Sequence, residues 1–164
     1  MVPELFPTNY RHIPLMIGGL SFLLLCNDAA LAERLRERYR AFRGRAETTP
    51  QVLMNIYRDD DFEPPVLEGQ QMIYTPATHR LLTVGSEATF NIEMGLIQQW
   101  VSGRHPVDCV EYCLRVGLAL LAVHHGGLLL HAAGLVRHER AYIFLGNRAA
   151  AKRPLLAMPH PTVC

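Results

Sequence analysis

The chain carries almost no net charge. Its 16 Lys and Arg residues against 15 Asp and Glu leave a formal charge of +1 at pH 7. A balance this even gives no long-range attraction towards nucleic acid or an anionic membrane. Arginines do cluster in the segment ERLRERYRAFRGR, but Glu33 and Glu37 interrupt them, which indicates a solvated helix face rather than a patch for phosphate or lipid. We therefore predict neither nucleic acid nor a membrane as a partner.

The chain also lacks a cysteine framework. Four cysteines are present, and none of them forms a Cys-x-x-Cys pair. Cys109 and Cys113 lie one helical turn apart, while Cys26 and Cys164 stand alone in the sequence. This spacing predicts buried thiols in a reducing compartment, and hence a cytoplasmic protein.

The apolar run IPLMIGGLSFLLLC is too short to span a bilayer as a helix. It follows Arg11 and His12 and precedes NDAALA, an order that resembles an export signal cleaved after Ala32. The run contains two glycines and a serine, and it passes directly into an amphipathic helix pattern. Both features favour a strand of a cytoplasmic protein over an export signal, and export stays open as an alternative.

The sequence is long and apolar enough for a folded core. It has 164 residues, of which 49% are hydrophobic and 19% charged, which predicts a folded chain rather than wholesale disorder. The segment LMIGGLSFLLLCND predicts one buried strand, with Asn27 or Asp28 capping the helix that follows. In that helix, AALAERLRERYRAF, the apolar residues recur at three- and four-residue spacing; they are Leu31, Leu35, Tyr39 and Phe42.

The next part of the chain predicts a mixed sheet. TPQVLMNIYRDDD supplies a strand, and QQMIYTPA, HRLLTVGS and ATFNIEMG form an antiparallel meander. GLIQQWVSG predicts a helix or helical turn, and VDCVEYCLRVGLALLAVHHGG predicts a long helix that is buried almost all round and ended by Gly126 or Gly127. LLLHAAGLVRHERAYIFLG predicts two strands joined at RHER.

These elements predict a mixed α/β fold with a partly antiparallel sheet and a long buried helix. We divide the chain into an N-terminal mixed region, residues 1–105, and a region of helix, hairpin and degenerate phosphate loop, residues 106–164. One continuous domain is the alternative.

Three histidines lie close together near the end of the long predicted helix. His124, His125 and His131 have no carboxylate or cysteine nearby in the sequence that would complete a ligand set. We therefore interpret them as capping or core histidines and predict no metal site.

The strand AYIFL leads into a sequence that is almost a phosphate-binding loop. Such a loop needs Gly-x-x-x-x-Gly-Lys-Ser/Thr, and Gly146 and Lys152 stand at the right spacing. Ala151 replaces the second glycine and adds a Cβ where the backbone must approach phosphate closely. Arg153 replaces the hydroxyl residue and cannot ligate Mg²⁺, and Pro154 follows it. The loop positions are Gly146, Asn147, Arg148, Ala149, Ala150, Ala151, Lys152 and Arg153.

One lost base just after codon 146 would account for all of these departures together, and this is our hypothesis. In the displaced register, the codons behind residues 147–154 allow Gln-Pro-Gly-Ser-Gly-Lys-Thr-Thr. Three alanine codons become three codons ending in GC, and the lysine codon still allows lysine. A frameshift also leads us to expect an early chain end, since an out-of-frame reading soon meets a stop. Ordinary loss of a phosphate site is the alternative.

The region from Leu128 to Lys152 resembles the kinase domain of HPr kinase/phosphorylase and its relatives, the HPr kinase-like serine kinases. The matching parts are LLLHAAGLV, the short turn RHER, the strand AYIFLG and then the loop. The resemblance implies a fold related to phosphoenolpyruvate carboxykinase. It also implies transfer of phosphate from ATP, with Mg²⁺, to a serine of a protein or peptide.

Within that resemblance, Gly146 and Lys152 match the family's phosphate loop, while Ala151 and Arg153 depart from it. The family's catalytic base and metal-binding residues follow the loop, so no catalytic residue is assigned here. We expect a truncated, inactive kinase relative that binds neither ATP nor Mg²⁺. The alternative is a stand-alone peptide- or protein-binding module. We also expect self-association through an uncovered sheet edge formed by LLLHAAGL and AYIFLG.

Overall fold

The computed structural model describes residues 9–45, 49–63, 69–103, 105–130 and 132–144. Contacts divide the chain into two compact units, residues 1–127 and 128–164. The elements of the first unit are β1 (Arg11–Ile17), β2 (Leu20–Cys26), α1 (Ala29–Arg38), β3 (Val52–Arg58), β4 (Gln71–Tyr74), β5 (His79–Thr83), β6 (Ser86–Asn91), β7 (Leu96–Val101) and α2 (Pro106–His124). The second unit contains β8 (Ala133–Arg137) and β9 (Arg140–Phe144).

The first unit is built on a seven-stranded sheet with the order β1-β2-β3-β7-β6-β5-β4. The pairs β2–β3 and β3–β7 are parallel, and the remaining neighbours are antiparallel. The predicted α/β class with a partly antiparallel sheet is confirmed. The meander is also as predicted, since β4, β5 and β6 follow one another in sequence and in space.

The single strand predicted around residues 15–28 is wrong, because two strands occupy this run. Gly18 and Gly19 have φ values of +59° and +83°, and they form the two-residue turn that joins β1 to β2. Positive φ at both central residues gives a turn whose twist matches that of a hairpin. The apolar residues on both sides of the glycines made the run resemble one continuous buried strand.

The helix predicted at GLIQQWVSG is also wrong, because β7 lies there at the centre of the sheet. Ile97, Gln99 and Val101 are buried, while Leu96, Gln98 and Trp100 are only half-buried. This is the alternation of a strand with one face towards the core. The buried residue in the middle of this pattern is a glutamine, so hydrophobicity alone does not indicate a strand here.

Both helices lie on the same face of this sheet. Leu31 and Leu35 of α1 share one core cluster with Ile97 and Phe90, and a Cβ added at Gly117 of α2 would meet those same two side chains. The predicted cap of α1 is confirmed, since the Asp28 Oδ1 accepts a hydrogen bond from the Leu31 N–H at 2.6 Å.

Two details of the predicted helices need correction. Phe42 lies in a short 3-10 turn after α1, Arg40–Phe42, and is exposed, so it does not extend the buried face. On α2 only one stripe is buried, which includes Val110, Leu114 and Leu121; the helix is therefore not buried all round. Neither of the described helices has the length and apolarity that crossing a bilayer requires.

The outer edge of β1 is protected against pairing with other strands. Pro14 has no N–H, and its carbonyl oxygen accepts a hydrogen bond from the Gly44 N–H at 2.9 Å. The His12 carbonyl oxygen accepts one from the Arg36 Nη2 at 3.1 Å. The opposite edge strand, β4, has only four residues. Short edges, proline and covering groups are the usual means of preventing edge-to-edge association.

Candidate functional site

The predicted phosphate loop, Gly146 to Arg153, lies outside the described residues. The described chain reaches Phe144, the last described residue of β9, which lies two positions before Gly146. The two strands predicted around RHER are confirmed, because β8 and β9 pair antiparallel with Arg137 opposite Arg140. A phosphate loop requires a strand shortly before its first glycine, and β9 is such a strand as far as it is described.

The turn of this hairpin is unusual in its residues. His138 and Glu139 have φ values of +50° and +61°, so both central residues of the two-residue turn are left-handed. Hairpins of this type favour Asn-Gly at these positions, because other side chains are strained there. The hairpin before the loop is therefore held in register by a turn that its own residues disfavour.

Substitutions at the turn test this strain. We expect His138→Asn with Glu139→Gly to stabilise the hairpin by about 1 kcal/mol or more, because both residues tolerate positive φ. Hydrogen exchange of the β8 and β9 amides should slow by about fivefold or more. His105→Asn, at an exposed histidine of the first unit, should leave the exchange of these amides unchanged. Exchange that is unchanged or faster in the turn variant would contradict the strain.

Three clefts in the first unit carry polar or charged side chains. The cleft at the start of α2, about 580 Å³, is lined by His105, Asp108 and Cys109 among others, which are the residue types of a cysteine nucleophile with its base. The geometry does not support that role. The Cys109 Sγ points at the Val84 carbonyl oxygen, 3.7 Å away, while the His105 Nδ1 lies 3.7 Å from the Asp108 Oδ2.

The electrostatics of this cleft also oppose an activated thiol. Burial raises the pKa of the Cys109 thiol, the Asp108 carboxylate raises it further, and Arg58 partly opposes them. A raised pKa keeps the thiol protonated at neutral pH, whereas a nucleophilic cysteine needs a lowered one. Burial likewise raises the pKa of Cys26 and of the fully buried Cys113. The predicted buried thiols are confirmed at these two positions. Cys109 is only half-buried, and Cys164 lies outside the described residues.

The cleft between α1 and β1, about 680 Å³, is lined by charged side chains. Arg36 pairs with Glu33, and Arg40 pairs with Glu37 at 3.0 Å. The arginines on this side of α1 are thus matched by the carboxylates that interrupt them in the sequence. Exposed pairs of this kind contribute little to stability, and they agree with a solvated helix face.

The third cleft, about 510 Å³, lies between the end of α2 and the turns after β4 and β6. Its lining is mostly aliphatic, with His79, Glu93 and His124 as the polar members. Within the described ranges, no three His, Cys, Asp or Glu residues stand close enough to hold a metal ion. His124 and His125 contact each other through their rings, 5.3 Å apart, and His131 is outside the described residues.

Sequence reasoning missed a buried polar group beneath the start of α2. Gln99 is fully buried, and its Nε2 donates hydrogen bonds to the Ser86 Oγ at 2.7 Å and the Cys109 carbonyl oxygen at 3.1 Å. Its Oε1 is buried and has no hydrogen-bond partner among the described residues. The side chain ties β7 and β6 to α2, and no local pattern could have indicated it.

Comparison with known proteins adds no assignment. Neither a family model, nor a curated protein, nor a solved structure matches the chain. The class that the structure itself defines is a mixed α/β unit followed by a β-hairpin.

Proposed function

We propose that the chain is a relative of the HPr kinase-like serine kinases whose phosphate loop has been disabled by a single-base frameshift. The observation that supports this most is the position of β9, which ends at Phe144 with Gly146 two residues later. Strand, glycine and lysine then follow in the order and spacing of a phosphate loop. The intact relative would transfer the γ-phosphoryl group of ATP, with Mg²⁺, to a serine of a protein or peptide.

We propose that the loop, with the residues present in this chain, does not bind the nucleotide. A Cβ at Ala151 obstructs a backbone that must curl around phosphate, and the Arg153 guanidinium offers only donors where a hydroxyl would ligate Mg²⁺. Lys152 alone could reach a phosphate, but a lysine without the surrounding amide cradle offers only a single point charge.

The gene sequence across codons 145–154 tests the ancestry. We expect the neighbouring reading frame to encode Gly-Lys-Thr in place of residues 151–153, followed by further kinase-like sequence. A neighbouring frame that does not encode these residues would contradict the frameshift. The resemblance of the loop would then rest on Gly146 and Lys152 alone. A clean intergenic region after the reading frame would favour the binding module.

A labelling experiment tests the loss of nucleotide binding separately. Lys152 is the only lysine in the chain, so an amine-directed reagent reports on this side chain and the N-terminus alone. We expect Mg-ATP to leave the labelling of Lys152 unchanged in the natural chain. The double variant Ala151→Gly with Arg153→Thr restores the glycine and the hydroxyl residue that the loop pattern requires, and it serves as the comparison. Protection of Lys152 by Mg-ATP in the natural chain would show that the loop still binds nucleotide.

A second candidate is a stand-alone peptide- or protein-binding module. It is favoured by the sheet face that neither α1 nor α2 covers. There Tyr57 stacks on Trp100 with ring centroids 5.2 Å apart, and Tyr10 meets Tyr57 edge to face at 6.2 Å. Aromatic side chains of this kind often anchor interfaces. Peptide selection on the full chain, with Trp100→Ala as counter-selection and Val84→Ala as control, distinguishes this candidate from a disabled kinase.

A further inference from the structure

The β8–β9 hairpin exposes apolar side chains on both of its faces. Leu135, Val136, Tyr142 and Ile143 are 54%, 74%, 45% and 60% exposed. Leu135 stands opposite Tyr142 in the register and shares one face with it, while Val136 and Ile143 belong to the other face. A two-stranded hairpin gains stability when a further element packs on its faces or edges, so a partner on this described part of the chain would be stabilising.

The register also identifies which backbone groups of β9 are unused. A two-residue turn makes Arg137 and Arg140 a hydrogen-bonded pair, and the alternation then makes Leu135 and Tyr142 one as well. The N–H and C=O groups of Ala141 and Ile143 therefore point away from β8, on the edge of β9 that no described strand pairs with. No proline or charge lies between residues 141 and 143. On β1, by contrast, Pro14, Arg36 and Gly44 protect the edge.

We propose that β9 pairs edge to edge with β9 of a second copy, antiparallel and centred on Tyr142. In that arrangement Ala141 of each copy exchanges backbone hydrogen bonds with Ile143 of the other, so all the outward groups of this segment are satisfied. Tyr142 then faces its own counterpart in a closely spaced, non-hydrogen-bonded pair, where aromatic side chains interact favourably.

Charge placement supports a second copy in this orientation. Pairing about Tyr142 sets Arg140 opposite Phe144 of the other copy, so the two charged turns lie at opposite ends of the new sheet. A parallel arrangement would place the two Arg140 side chains side by side, which is unfavourable. The two-fold axis keeps Leu135 and Tyr142 of both copies on one face. The segment is thus complementary to itself, independently of any nucleotide site.

Sedimentation equilibrium on the full chain tests the pairing. We expect a concentration-dependent dimer, whose dissociation constant rises at least tenfold in Ile143→Pro because proline removes an outward N–H. The same change leaves the bonds between β8 and β9 in place, since residue 143 does not donate to β8. Ile143→Thr keeps the N–H and is expected to weaken the dimer less. A monomer at all concentrations, or an equal effect of both variants, would overturn the proposal.

Two further measurements locate the contact. Hydrogen exchange at the Ala141 and Ile143 amides should slow with protein concentration, while the Tyr142 amide, already bonded to β8, should slow less. Tyr142→Cys should form an intermolecular disulfide on mild oxidation, because the paired Cα atoms lie within disulfide reach. Val84→Cys, at a valine 72% exposed in the first unit, is the control and should not. A dimer in which exchange at residues 141 and 143 is independent of concentration would also overturn the proposal.

Discussion

The Gln99→Glu variant is expected to lose about 3.5 kcal/mol of unfolding free energy at pH 7 and to recover most of it near pH 4. The Gln99 Nε2 lies 3.1 Å from the Cys109 carbonyl oxygen. A carboxylate oxygen in its place would face that carbonyl oxygen, and two hydrogen-bond acceptors with no proton between them repel each other. A protonated carboxyl has nearly the shape of the amide and can donate its O–H to that oxygen. The folded protein is therefore expected to keep the introduced group protonated.

The direction of the pH effect follows from this. Burial raises the pKa of the introduced carboxyl in the folded state above its unfolded value near 4.3, so the folded state holds a proton that the unfolded state has released. Stability then falls as the pH rises above about 4, by about 1.4 kcal/mol for each pH unit relative to the natural chain. Urea unfolding at several pH values between 4 and 7 measures this slope.

Gln98→Glu is the matched control for this experiment. Gln98 neighbours Gln99 in β7 but lies on the opposite face and is half-buried, opposite Asn55. Water can reach a carboxylate there, so the cost should stay within about 0.5 kcal/mol. Equal losses in the two variants, or a loss at Gln99 that does not depend on pH, would mean that the buried amide network is not what holds α2 on the sheet at this point.

Elements with strong local signals were predictable from the sequence. The spacing of Leu31 and Leu35 and the cap at Asp28 define α1 without any tertiary information. β3, the meander and the β8–β9 hairpin follow from short apolar runs separated by turn residues. In each case the residues that determine the element lie within it or directly beside it.

The elements that sequence reasoning missed depend on partners far along the chain. Gln98 and Gln99 look like surface residues, but Gln99 is buried because Ser86 and the start of α2 accept hydrogen bonds from its amide nitrogen. At Gly18 and Gly19 the sequence does contain a turn signal. The apolar residues on both sides of it are buried, although by different neighbours. One long strand and two short strands therefore give the same hydrophobic pattern. The phosphate loop stays a prediction, since only the hairpin before it is described.

Gly95→Ala is expected to cost about 3 kcal/mol or more, because two separate penalties add at this position. Gly95 has a φ of +61°, which disfavours any residue with a Cβ. A Cβ built there would also overlap the carbonyl oxygen of Gln51, a backbone atom that no side-chain rotation can move away. The Gly95 carbonyl oxygen accepts a hydrogen bond from the Leu53 N–H at 2.8 Å, so a shift would disturb the start of the β3–β7 pairing.

Gly18→Ala separates the two penalties. Gly18 has nearly the same φ, +59°, but a Cβ added there meets nothing within 4 Å. Its cost should therefore be the conformational one alone, about 1 kcal/mol. The difference between the two denaturation midpoints then measures how closely the chain before β3 must approach the β6–β7 turn. If Gly95→Ala costs no more than Gly18→Ala, that close approach is not required, and the parallel centre of the sheet can form without glycine at position 95.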